Sequence, residues 1–221
     1  MEIYEQLRAN CDKLLEAYHT NLEDVQKLQE TLIRDILPSV TDELNLTPDA
    51  TEWAKEWLSD TGSIFRIARK NQFTKSFTLE AIRKNLVWRL DNLWQKAEPV
   101  PMSNVHYLSL DALDPCGRPI VIVETVPLEV EVDIAKQGIM QFFETVRMNL
   151  YEAGKNVGRG QGIPLQCTVV LDLQHLTFQR VGLDIMTWAV REVYPRFPGM
   201  LAAVFMMNYS WTHSGMWNVV K

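Results

Sequence analysis

No stretch of this chain approaches the roughly 18 consecutive apolar residues that a bilayer-spanning helix needs, so nothing in it reads as a transmembrane segment. The N-terminus opens on an acidic, amphipathic stretch with no signal-peptide core, which sets the expectation of a cytoplasmic protein. Cysteine is scarce. Cys11, Cys116 and Cys167 are odd in number and widely separated, which excludes paired zinc or redox spacings and fits a reducing compartment. Basic charge is short too: 22 Lys and Arg against 28 Asp and Glu leave a net charge of −6, where a general nucleic-acid binder is basic. Catalytic signatures are missing as well. There is no Gly-x-Ser-x-Gly elbow, and His19, His106, His175 and His213 are scattered without the i, i+4 pairing that holds a metal. The expectation is a non-enzymatic protein with no metal and no cofactor.

Apolar residues make up 47% of the 221 residues, and a chain of this size buries about 70% of its unfolded surface. Three short apolar runs stand out: Ile120–Glu124, Cys167–Leu173 and Leu201–Asn208. Each is β-rich and followed by helix-like sequence, the last by Ser210–Val220. Runs apolar on both faces read as strands buried between helices, the mark of a parallel α/β sheet. A shorter strand is expected at 105–110, a turn at Asp114–Gly117 and a helix over 132–153.

The N-terminal half reads as helical. Ile3, Leu7, Cys11, Leu14, Tyr18, Leu22, Val25, Leu28, Leu32 and Ile36 recur at steps of three or four, which is one apolar stripe on a helix. Such a stripe either packs on its own domain or pairs with a second chain as a coiled coil. Thr20 with Glu23 has the spacing of a capping box that would divide it into two helices. Thr47-Pro48 is an N-cap and first-turn pair opening a helix to about Ser59, with Trp53 and Trp57 on one face. Further helices are expected near 62–70 and 75–96, and Glu98-Pro-Val-Pro101 closes the helical section. The organisation expected is thus an N-terminal extension over 1–46, a helical section over 47–101 and an α/β section over 102–221.

Isolated polar motifs carry little chemistry. The Gly-rich stretch 154–162 lacks the Gly-Lys-Ser/Thr ending of a phosphate loop and leads into a strand rather than out of one. It reads as a surface loop. Asp172 ends a strand, where α/β folds place ligand contacts, yet an acid there equally serves to cap the next loop. His175 follows without an identifiable catalytic partner.

Several segments in order resemble the CRAL-TRIO family of lipid-binding domains. Ile64-Phe65-Arg66-Ile67-Ala68-Arg69 followed by Phe73 is similar to its Leu-Leu-Arg-Phe-Leu-Arg-Ala-Arg-Lys-Phe block, and Trp88-Arg89 falls where the family has Trp-Arg. Asp114-Pro-Cys-Gly-Arg-Pro119 matches Asp-x-x-Gly-Arg-Pro. The stretch 167–178 resembles the strand and loop with Asp-Leu-Lys-Gly, and Tyr194-Pro195 with 204–211 resembles the Tyr-Pro…Ile-Val-Asn-x-Pro-Trp region. The resemblance covers residues 50 to 221. It implies an α/β fold, with a helical section beside a mainly parallel sheet, that binds or transfers a phospholipid or other lipophile in an apolar cavity. The lining it implies is Val121, Phe142, Cys167, Val169, Leu171, His175, Trp188, Phe205, Met207, Tyr209, Trp211 and Trp217.

The sequence also departs from the pattern. Asn71-Gln72 stand where phosphatidylinositol-transfer members have Arg-Lys, and Arg196 or Gly199 where they have Glu. Cys167 replaces a phosphate-contacting serine, His175 a glycine and Ser210 a proline. The usual phosphatidylinositol contacts are therefore not expected, while a lipophile pocket is untouched. The chain stops at Lys221, before the family's gating helix, which reads as a fragment or as an open, shortened form. Arg66, Arg69, Lys70, Lys75, Arg83, Lys84 and Arg89 against Glu80 make 66–89 basic, either a solvated face or a contact for anionic membrane. A protein-interaction module on the same fold, and a haem or small-hydrophobe sensor using His175 or Tyr209, remain as alternatives.

Overall fold

In the computed structural model, which describes residues 2–95, 102–109, 112–125, 131–155, 163–175 and 180–210, the N-terminal stripe forms one helix, α1 (Glu2–Thr31). Thr20 and Glu23 lie inside it, so no capping box divides the stripe. An uninterrupted apolar face gives the chain no reason to break there: Leu14, Tyr18, Val25, Leu28 and Leu32 are all buried. The break comes at Pro38 instead. Residues Leu32–Ile36 form a π turn, in which the Leu37 N–H donates to the Leu32 carbonyl, and α2 (Leu37–Leu44) follows. Proline cannot donate to the carbonyl four residues back, and its ring crowds that carbonyl, so the preceding turn widens. The same device recurs at Ala189–Val193, a second π turn that ends two residues before Pro195.

The described residues fall into two units, Asp12–Glu98 and Met1–Cys11 with Pro99–Lys221. In the helical unit, α3 (Pro48–Leu58) starts as its sequence dictates, with Thr47 Oγ1 accepting from the Ala50 N–H at 3.3 Å. Next, α4 (Thr61–Lys70) is capped by Asp60, which accepts from the Ser63 N–H at 3.0 Å. Ile64, Phe65, Ile67 and Ala68 of that helix are buried. The Gln29 amide binds α1 to these helices, donating to the Leu58 carbonyl at 2.8 Å and accepting from the Thr61 hydroxyl at 3.0 Å.

The last helix of the unit, α5 (Lys75–Asn92), carries Arg89 into the interior with no solvent exposure. Trp53 and Trp57, one turn apart on α3, present their rings to its guanidinium at 5.9 and 4.9 Å. Arg89 of the sequence's Trp-Arg pair is thus a packing element of the helical unit. A planar cation stacks on aromatic faces in a way that an ammonium does not.

In the other unit four strands are described: β1 (Val105–Tyr107), β2 (Ile120–Glu124), β3 (Cys167–Asp172) and β4 (Leu201–Met207), in that spatial order. The first pair is antiparallel and the other two are parallel. The parallel crossovers run through α6 (Val132–Lys155) and α7 (Arg180–Trp188), which pack on one another. The three apolar runs are strands, but the third is not buried on both faces: Val204, Phe205 and Met207 are 41, 45 and 53% exposed. The reason is position, because among the described strands β4 is an edge. The Glu98–Pro101 boundary segment, most of the Gly-rich stretch and the Ser210–Val220 helix fall largely or wholly outside the described residues.

Replacing Arg89 tests the helical unit. Arg89→Ala removes a buried cation from its stacking partners and is expected to lower unfolding free energy by about 2 kcal/mol or more, the scale of a desolvated cation–π contact. Arg89→Lys recovers little of it. Urea denaturation followed by tryptophan fluorescence checks both; a Lys variant as stable as wild type would show that planarity is irrelevant.

Candidate functional site

The Asp114–Pro119 segment is a structural knot. Asp114 Oδ1 accepts from the Cys116 and Arg118 N–H groups at 2.8 and 3.0 Å. Its Oδ2 accepts from Arg118 Nε and the Thr168 hydroxyl, both at 2.7 Å. Gly117 supplies the turn's left-handed position at φ +75°, which a glycine takes without strain. Asp114 and Arg118 side chains are each 7% exposed. The motif therefore ties the entry of β2 to the start of β3 rather than facing a ligand.

Strand pairing then decides which side chains meet. Val121 lies beside Val169 and Val169 beside Val204, while Ile122, Val170 and Phe205 share the opposite face. Between Cys167↔Leu201 and Thr168↔Ala203 the register shifts by one residue. Such a bulge turns every later side chain of the strand to the other side. Without it, Phe205 would stand beside Leu171.

On the Val121 face, β1 to β3 and α6 line a partly open cavity of about 290 Å³. Tyr107, Val121 and Cys167 line it from the sheet, and Val146, Leu150 and Ala153 from one stripe of α6. The stripe follows from i, i+4, i+7 spacing. Asn149 and Glu152 add polar groups to a largely apolar wall. The Tyr107 hydroxyl is buried and makes no hydrogen bond of normal geometry among the described residues. Burial pushes its phenol up to about 12, with Thr145 close enough only to temper the rise. It is a neutral O–H group at physiological pH.

Of the residues implied to line a lipid cavity, Val121 and Cys167 border this one, and Val169 and Leu171 continue the same face. The other implied residues that are described do not line it. Phe205 and Met207 are turned to the opposite face by the bulge. Phe142 packs edge-on to Phe143 at 5.4 Å, and Trp188 lies under the Lys136 ammonium at 5.5 Å. His175 and Tyr209 are exposed beyond the strand ends, and Trp211 and Trp217 lie outside the described residues. Tyr107 and the α6 stripe were not singled out from sequence, although the spacing of Val146, Leu150 and Ala153 was there to read.

Asp172 caps its loop. Its Oδ1 accepts from the Asn208 amide at 2.7 Å and the Gln174 N–H at 2.9 Å, and the Asn208 bond above all holds its carboxyl below the usual range. Among the described residues no three His, Cys, Asp or Glu side chains gather as a metal-holding group, and no helix is long and apolar enough to cross a membrane. No protein-family model matches the chain, and no curated protein matches it.

The knot yields a pH signature. Burial pushes the Asp114 carboxyl up, but the bonds from Thr168, from the Arg118 N–H and guanidinium, and from the Cys116 N–H outweigh it and leave it below its ordinary value. A carboxyl depressed in the folded state stabilises the fold above about pH 4, and that contribution is lost as pH falls through the folded value. Asp114→Asn leaves the Arg118 charge buried without its partner, so about 3 kcal/mol of stability is expected to disappear at pH 7. The gap to wild type should shrink on acidification. Urea midpoints across pH check this; equal midpoints at pH 7 would remove the knot's assigned weight.

Proposed function

We propose that the chain is a non-catalytic carrier of a small lipophile of the CRAL-TRIO kind, and that the cavity between α6 and the sheet is where the ligand sits. One observation carries the reading: a largely apolar space of about 290 Å³ to which Tyr107, Asn149 and Glu152 bring the polar groups. An apolar ligand bearing one hydrogen-bonding end suits such a wall. Size narrows the class. The volume sits at the low edge of ligand pockets and holds on the order of ten water-sized groups. That is room for a single chain or a small ring lipophile, not for a two-chain phospholipid. Burying about ten methylenes is worth at most about 8 kcal/mol, the scale of a micromolar complex before binding losses. The absence of phosphatidylinositol contacts in the sequence agrees with a ligand without a phosphorylated headgroup.

A second reading, an interaction module built on the same fold, draws on the exposed Val204, Phe205, Met207 and Tyr209 at the outer strand. Native mass spectrometry separates the two. Protein purified from cells is expected to carry a lipophile at one per chain, and Ala153→Phe, which fills the cavity, is expected to lose it while keeping the wild-type circular dichroism spectrum. Tyr107→Phe should weaken a ligand with a polar end about tenfold, the equivalent of one hydrogen bond, and leave a pure hydrocarbon unaffected. A protein that is empty, and that takes up no fatty acid or retinoid probe, favours the interaction module.

A further inference from the structure

We propose that the corner joining α4 to α5 is a docking surface for an anionic lipid bilayer. Phe77, in the first turn of α5, is 63% exposed, and Phe73, four residues earlier, is 36% exposed. Large aromatic side chains are seldom left so open without a partner. The same corner carries Arg69, Lys70 and Lys75, all exposed, and Lys75 borders one hollow with Phe73. Residues 69–77 thus carry three cations and no acid, on a chain whose net charge is −6.

The corner is held in place. Gln72 and Phe73 are consecutive residues in the left-handed region, at φ 52° and 55°. The Phe73 N–H donates to the Ala68 carbonyl at 2.8 Å, and its ring packs on buried Phe65 at 5.9 Å between centroids. The neighbouring cations on α5 are committed elsewhere, Arg83 to Glu43 and Lys84 to Glu80. Among the described residues no carboxylate pairs with Lys75. Asp24 lines the hollow beside Lys75, and the Lys75 charge reaches Asp35, so acid charge is present nearby but outside the 69–77 segment.

Two exposed rings in one nine-residue corner are too small a patch for a stable protein interface, which buries about 800 Å² on each side. The same arrangement fits a bilayer, where aromatic rings enter the headgroup boundary and ammonium and guanidinium groups meet lipid phosphates and carboxylates. The proposal stands on residues other than those of the cavity. Vesicle binding reads the corner and lipid retention by Ala153→Phe reads the cavity, so either can fail alone.

Co-sedimentation with vesicles is the test. The protein is expected to pellet with phosphatidylcholine vesicles containing phosphatidylserine, not with phosphatidylcholine alone, and to be released by high salt. Lys75→Glu is expected to reduce binding by at least about fivefold, from the weight of one near-surface charge, and Phe77→Ser to reduce it comparably. Both positions are exposed, and unchanged thermal melting confirms the fold. Lys13→Glu, an exposed reversal on α1, should leave binding largely intact. The proposal is overturned by no pelleting with either vesicle, by equal pelleting of wild type and both corner variants, or by a Lys13→Glu loss as large as that of Lys75→Glu. It is equally overturned if Phe77→Ser abolishes self-association on size-exclusion chromatography without changing pelleting.

Discussion

One carboxylate organises the sheet unit. Asp114 receives four hydrogen bonds from three residues, two from its own turn's backbone, one from a guanidinium and one from the first buried hydroxyl of β3. A buried charge so fully satisfied sets geometry tightly, because any displacement leaves a desolvated ion without partners. The turn is thereby fastened to β3 at Thr168, one residue from Cys167 on the cavity wall. The Cys11 thiol points at the same turn, 3.9 Å from the Cys116 carbonyl. The turn that leads into the wall of the space under α6 is therefore fixed by contacts that lie outside that wall.

The proposed functions divide along the same line. The sheet unit offers a largely apolar space under α6, and the helical unit offers two exposed rings in a segment with three cations. Holding a lipophile and meeting a membrane make opposite demands on a surface, since one requires burial and the other exposure. Here they fall to separate units with separate cores.

Much of the architecture was legible because it rests on local chemistry. Thr47-Pro48 capped its helix as residue preferences require, the turn at Asp114–Gly117 formed around its glycine, and three apolar runs became strands. What was not legible involved partners far along the chain. The capping-box spacing at Thr20 and Glu23 lost to an unbroken apolar face, an override by packing that local pattern does not contain. The two π turns could have been anticipated: Arg34 and Arg191 each stand four residues before a proline and lose a donor. The cavity lining was the least legible part. Val121, Cys167, Phe205 and Met207 were all implied by the family resemblance, and a resemblance carries no strand register, so it could not show that a bulge sets Phe205 and Met207 on the face opposite Val121.

That bulge makes the sheet's sidedness a matter of chain length. With Ala202 as the odd residue, Phe205 stands on the face opposite Val121 and Val169. Shorten β4 by one residue there and Phe205 would change sides, with every later residue of the strand keeping its identity. A deletion at this one point would re-side the rest of the strand, which no single substitution in it can do.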